Sequence, residues 1–140
     1  MTFLPTLHFI FICVWLGVVL VETVLEFSGR AELDLRKAAE LHFWIDLMIE
    51  FPIVSGVLIT GIILTVMAGS LSQLMWIKIA MGLVAIASNI YCGALVMIRY
   101  RRRSDPAALL SLTRRICQCW VGVPFGLTAF YLGMKLAGIL

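Results

Sequence analysis

The sequence predicts an all-α integral membrane protein, a bundle of four spanning helices forming one domain over residues 1–140. Three observations predict it. Of the 140 residues 62% are hydrophobic and only 14% are charged, with a mean hydropathy of +1.05, a balance for which the bilayer is the natural solvent. Four apolar stretches are long enough to cross it, roughly Leu4–Phe27, Ala38–Met67, Leu71–Ile98 and Ile116–Leu136. In lipid each backbone polar group must find its partner within the segment, which leaves helices once the length of the runs has excluded barrel strands.

In the first span, His8, Trp15 and Glu22 recur at intervals of seven and line a nearly straight stripe, with Glu26 one turn further on. Gly17 is expected to let a neighbouring helix approach. Ser28 and Gly29 punctuate the end of the span, and Glu32, Asp34, Arg36 and Lys37 read as a solvated loop. No cleavable signal peptide is expected, because no basic segment precedes the first apolar run.

The second span opens polar. His42, Asp46 and Glu50 follow one another at i, i+4 and share one helix face, drifting only about 40° per step. Pro52 removes a backbone donor in mid-span, so a kink is expected just after Glu50. Gly56 and Gly61 permit close packing beyond it. The third span carries Lys78 and Asn89, whose separation returns them to almost the same face, with Trp76 as an interfacial anchor. The fourth, with Gln118, Trp120, Pro124 and Tyr131, is the least informative.

Charge sets the orientation. Arg99, Arg101, Arg102, Arg103, Arg114 and Arg115 lie between the third and fourth spans, and Arg30, Arg36 and Lys37 in the first connection. The positive-inside rule places both connections in the cytoplasm and both termini outside, as in a multi-pass protein of a bacterial inner (cytoplasmic) membrane. The net charge of +3 therefore signals contact with anionic membrane lipids and no nucleic acid. Cys13, Cys92, Cys117 and Cys119 match no haem-attachment or paired zinc motif and read as buried apolar thiols.

Depth then decides which groups can meet. At about 1.5 Å per residue, Glu22, Glu50 and Asn89 fall at one level in the cytoplasmic half. Glu26, Asp46 and Gln118 lie a turn deeper, and His42 lies near the inner interface. His8 and Lys78 belong to the outer half, so His8 and His42 stand on the order of 20 Å apart and cannot sandwich one haem. The inner set is Glu22, Glu26, His42, Asp46 and Glu50. Its four carboxylates cannot all stay ionised without a bound cation, a partnering Arg or shared protons. Hard oxygens with one imidazole suit a divalent metal ion such as iron, manganese or zinc. Proton relay, substrate contact and structural pairing with Arg or helix ends remain open beside it, since bundle carboxylate sites usually pair Glu with His at i, i+3.

The pattern Leu7-His8 followed by Trp15, Pro52 followed by Gly61, and Trp76-Ile77-Lys78 followed by Asn89-Ile90-Tyr91-Cys92-Gly93 resembles the HemJ and CopD-like group of small membrane proteins. HemJ is the oxygen-independent class of protoporphyrinogen oxidase. The resemblance implies a b-type haem bound by His8, with Trp15 beside it and Lys78 as a functional base or ligand. The sequence departs from it at Asn89, where HemJ-like sequences have a His, which speaks against protoporphyrinogen oxidation itself. The inner acidic set is not part of the pattern.

Three functions follow as expectations. One is a membrane haem or redox protein, an oxidoreductase linked to a quinone or porphyrin, with Lys78, Asn89 and Glu50 as catalytic groups and the acids moving protons. Another is a protein that handles or transports a divalent metal ion through the Glu/His/Asp cluster. The last is a non-catalytic subunit, packed in a homo-oligomer or against a larger membrane complex.

Overall fold

The computed structural model describes residues 3–28 and 35–138, and Arg30, Glu32 and Asp34 fall outside them. Among the described residues every regular element is helical and no strand occurs. The elements are α1 (Phe3–Ser28), α2 (Leu35–Ile45), α3 (Phe51–Met67), α4 (Gln73–Arg101), α5 (Pro106–Gln118) and α6 (Gly122–Leu136). A π turn over Asp46–Glu50 joins α2 to α3, and a 3-10 turn over Cys119–Val121 joins α5 to α6. Four continuous helical stretches result, each long and apolar enough to cross a membrane: Phe3–Phe27, Leu35–Met67, Gln73–Arg101 and Pro106–Leu136.

Two spans are longer than expected. The second begins at Leu35, so Arg36 and Lys37 form its first turn, and the fourth begins at Pro106. Local chemistry explains the second case. Asp105 caps α5 by accepting from the N–H groups of Ala107 and Ala108, and Pro106 occupies the first turn, where its missing N–H is harmless. Its apolar side, Leu109, Leu112 and Ile116, is buried, while Arg114 and Arg115 stay exposed. Ser72 caps α4 in the same way through Met75 N–H.

Packing divides the interior in two. α1 lies on α3, and α4 lies on α6, α2 and α5. Trp15, Val54, Val57, Ala85 and Ile86 form one apolar core, joined by Phe11 and Phe125. Leu95, Val96, Leu112 and Ile116 form the other, at the arginine-rich end. Gly56 admits the Phe11 ring, since a Cβ there would stand 2.9 Å from it. Gly17 differs from expectation: a Cβ there would meet nothing within 4 Å, so no helix uses it for close approach.

The second span bends by the means its proline dictates. Phe51 N–H bonds back to the Asp46 carbonyl, five residues earlier. Pro52 has no N–H, and its ring crowds the carbonyl four residues before it; a widened turn relieves both problems. A π turn holds about 4.4 residues, so four residues fall short of a full turn there and overshoot it in an α-helix. The drift from His42 to Asp46 is reversed from Asp46 to Glu50. Three polar side chains thus stay in one line, and all three are buried.

Candidate metal centre

Where α1, α2 and the π turn meet α4, five ionisable side chains converge in the interior. Glu22 and Glu26 are one turn apart on α1 and both buried, facing His42, Asp46 and Glu50. Opposite them stands Arg99 of α4, 1% exposed. Its Nη1 donates to Glu26 Oε2 at 2.8 Å and its Nη2 to Glu26 Oε1 at 2.5 Å, a bidentate fork. Nη1 also donates to Thr113 of α5 at 3.1 Å. One guanidinium thereby ties three spans together around a single carboxylate.

His42 is held by the same carboxylate, with Nδ1 2.5 Å from Glu26 Oε1. A carboxylate clamped by Arg99 only accepts, so Nδ1–H is the donor. This fixes the ring and directs Nε2 to the other side, 3.3 Å from Asp46 Oδ1 and 3.8 Å from Glu22 Oε2. One ligand atom each from Glu22, His42 and Asp46 lies within 4.8 Å of the others. Glu22 Oε1 and Asp46 Oδ1 are buried without a hydrogen-bond partner. An imidazole lone pair facing two carboxylate oxygens is repulsive unless a positive charge sits between them. A proton on Nε2 supplies one, and a metal ion supplies another.

The remaining acids do not share this role. Glu26 orients the imidazole, the arrangement in which a second carboxylate fixes a metal-ligating histidine. Glu50 accepts from Trp15 Nε1 at 3.1 Å, which places Trp15 at the inner group instead of beside His8. Asn89 joins that neighbourhood, with its Nδ2 buried and unpartnered. Gln118 is exposed and takes no part.

The outer pair is separate. His8 Nδ1 lies 2.7 Å from Thr60 Oγ1, and Thr60 spends its own hydroxyl proton on the Gly56 carbonyl at 2.6 Å. Nδ1–H is therefore the donor here too, and Nε2 keeps its lone pair. Gly61 makes room, since a Cβ there would stand 3.3 Å from His8 Cε1. Lys78 is half-buried on α4. Along one continuous span Thr60 and His42 are roughly 27 Å apart, so the two imidazoles belong to different sites.

Sequence reasoning missed Arg99 and Thr113. In the sequence Arg99 reads as one of the basic residues between the third and fourth spans. Its signal was the spacing Asn89, Cys92, Val96, Arg99, a run of i+3 and i+4 steps that puts it on the inward face of α4.

Between α1, α4 and the fourth span lies a half-enclosed cavity of about 90 Å³. Its walls are mainly apolar, and Glu22, Glu26, His42, Glu50 and Asn89 line its polar side. Comparison with protein-family models, with curated proteins and with solved structures gives no match for this chain.

Proposed function

We propose that this chain binds a divalent metal ion inside the membrane, held by Glu22, His42 and Asp46, and that its biological role is to handle or transport that ion. The observation that carries this reading is the orientation of His42: Glu26, locked by Arg99, holds Nδ1–H, which turns Nε2 toward two buried carboxylates. Of the two facing oxygens Asp46 Oδ1 lacks any other partner, and the second oxygen of Glu22, Oε1, is likewise unpartnered. An oxygen-rich set with one imidazole suits zinc, iron or manganese at about 2.0–2.2 Å per bond. The donors must be deprotonated to bind, so affinity falls as pH falls. The setting is a bacterial cytoplasmic membrane, with the arginine-rich end inside.

Metal analysis of protein purified in mild detergent without chelator tests the reading. About one divalent ion per chain is expected in the native protein, with loss of most of it in Asp46→Asn. Glu40→Gln, at an exposed acid outside the cluster, is expected to retain it. Equal metal in native protein and Asp46→Asn would remove the assignment and leave a proton between the same groups.

A second reading rests on His8. Its Nδ1–H is committed to Thr60, which leaves Nε2 as an axial ligand for a b-type haem in the outer half, near Lys78. Redox chemistry with a quinone or porphyrin would follow from it. A dithionite-reduced minus oxidised spectrum with sharp α and β bands, lost in His8→Ala, would support this reading; a featureless spectrum would end it.

A further inference from the structure

The three side chains proposed to hold the ion come from α1, α2 and the π turn, and α4 supplies none of them. Glu22 and His42 also form part of the cavity wall, whereas Asp46 lies behind it. An ion held between them therefore borders the cavity directly. Zinc takes four ligands, and a site with three protein donors keeps its fourth position for water or an outside molecule. Here the cavity is the space onto which that position opens.

Most polar groups of the wall are already engaged. Glu26 accepts from Arg99 and His42, and Glu50 accepts from Trp15 Nε1. Thr23 accepts from Trp120 Nε1 and donates to the Val19 carbonyl. Among the described residues two buried polar atoms of this wall have no partner, Glu22 Oε1 on the ion's side and Asn89 Nδ2 on α4. A buried amide N–H without an acceptor is costly, so an acceptor belongs beside it. The other walls are apolar, and α1 and α6 are not closely packed along their length. At the rim between the first and fourth spans the Phe27 and Trp120 rings meet edge-on. Both are about half exposed, on the side that faces lipid in a spanning bundle.

Resting on the metal reading, we propose that the ion's fourth ligand is the carbonyl oxygen of a neutral, lipid-soluble molecule that enters the cavity from the bilayer. A carbonyl oxygen has two lone pairs. One binds the ion and the other accepts from Asn89 Nδ2, which gives the stranded N–H its partner. The carbon chain lies along the apolar walls and leaves through the seam beside Phe27 and Trp120. A divalent ion on two carboxylates and a neutral imidazole is already balanced, so a neutral donor needs no counter-charge from the protein. Size agrees: a closed apolar cavity of ~150 Å³ holds benzene, and this one of about 90 Å³ takes a carbonyl group with the first carbons of its chain. At such a position the ion polarises the carbonyl as a Lewis acid.

The test uses the full chain loaded with cobalt(II), whose visible bands report its ligands, in nanodiscs of ether-linked phospholipid, which carry no carbonyl of their own. Titration with N,N-dimethyldecanamide is expected to change those bands saturably. Decane, without a carbonyl, should leave them unchanged, and N,N-dimethylacetamide, without a tail, should need at least tenfold more. Asn89→Leu removes the N–H donor and is expected to weaken the amide about tenfold with cobalt content unaltered. Val123→Trp fills the cavity away from the three ligands, and should abolish the response in a bundle that still binds cobalt. Glu40→Gln, outside the site, should respond as the parent does. Bound cobalt whose bands ignore the amide, or change equally with decane, would overturn this proposal and leave the metal reading standing. An amide response undiminished in both the Asn89 and Val123 variants would do the same. Failure of the chain to bind cobalt at all would end the metal reading and the fourth ligand together.

Discussion

At the residue scale the site depends on Arg99, whose importance comes from where it is buried. Without its guanidinium, Glu26 would remain as an uncompensated carboxylate in the interior. Arg99→Met is therefore expected to destabilise the bundle by about 3–5 kcal/mol, read as a lower unfolding midpoint in detergent. Combining it with Glu26→Gln should recover part of that loss, because the stranded charge goes with its partner. Glu22, His42, Asp46 and Glu50 were legible from the sequence, since ionisable groups in apolar runs at i, i+4 spacing must face inward. Arg99 was not, because the arginines that follow it satisfy the positive-inside rule so fully that nothing marked one of them as buried. Trp15 was singled out as a neighbour of His8. Its indole reaches Glu50 instead, a pairing set by the angle at which α1 crosses α3, which spacing along one helix does not contain.

At the scale of the element, the π turn is what aligns the cluster. Proline in mid-span announced a break in regular geometry, and the sequence supports nothing finer than a kink. Whether the chain bends sharply or widens by one residue depends on what packs against it. Here Gly93 of α4 accepts the Phe51 ring at the end of the turn, where a Cβ would lie 2.6 Å from Phe51 Cζ and 3.6 Å from Asp46 Oδ2. Gly93→Ala is expected to displace that ring and destabilise the protein by about 1–3 kcal/mol, measurable by thermal unfolding. Pro52→Ala restores a backbone donor and permits a regular helix through this stretch. The line from His42 to Glu50 would then drift by about 80° over two steps. The expected result is a fold retained by circular dichroism with divalent-metal affinity reduced at least tenfold. Unchanged affinity would show that the turn has no part in the site. α5 teaches the complementary lesson. The arginines on its outer face keep the segment from reading as part of a span, and its start at the Asp105 cap emerges only in the structure.

At the scale of the whole molecule, four spans follow from composition and run length, because the bilayer constrains the backbone more strictly than water does. The mutual arrangement does not follow. That α1 packs on α3 while α4 gathers α2, α5 and α6 is decided by side-chain fit, and this arrangement leaves the seam and cavity between the first and fourth spans. The clustering of Arg101, Arg102, Arg103, Arg114 and Arg115 at one end sets the expected topology, with that end in the cytoplasm. Reporter fusions at either terminus should therefore be active on the non-cytoplasmic side, and a fusion within Ser104–Asp105 on the cytoplasmic side. Glu22, His42 and Asp46 are proposed to hold a metal ion between them, and the decisive measurement is X-ray absorption at the metal edge of zinc-loaded protein. The expected spectrum has only nitrogen and oxygen neighbours at about 2.0–2.2 Å with the outer-shell pattern of one imidazole, both lost in His42→Gln. Sulfur neighbours at about 2.3 Å would place the ion on the thiols of Cys92, Cys117 or Cys119, and a hydrated ion without imidazole would contradict the site altogether.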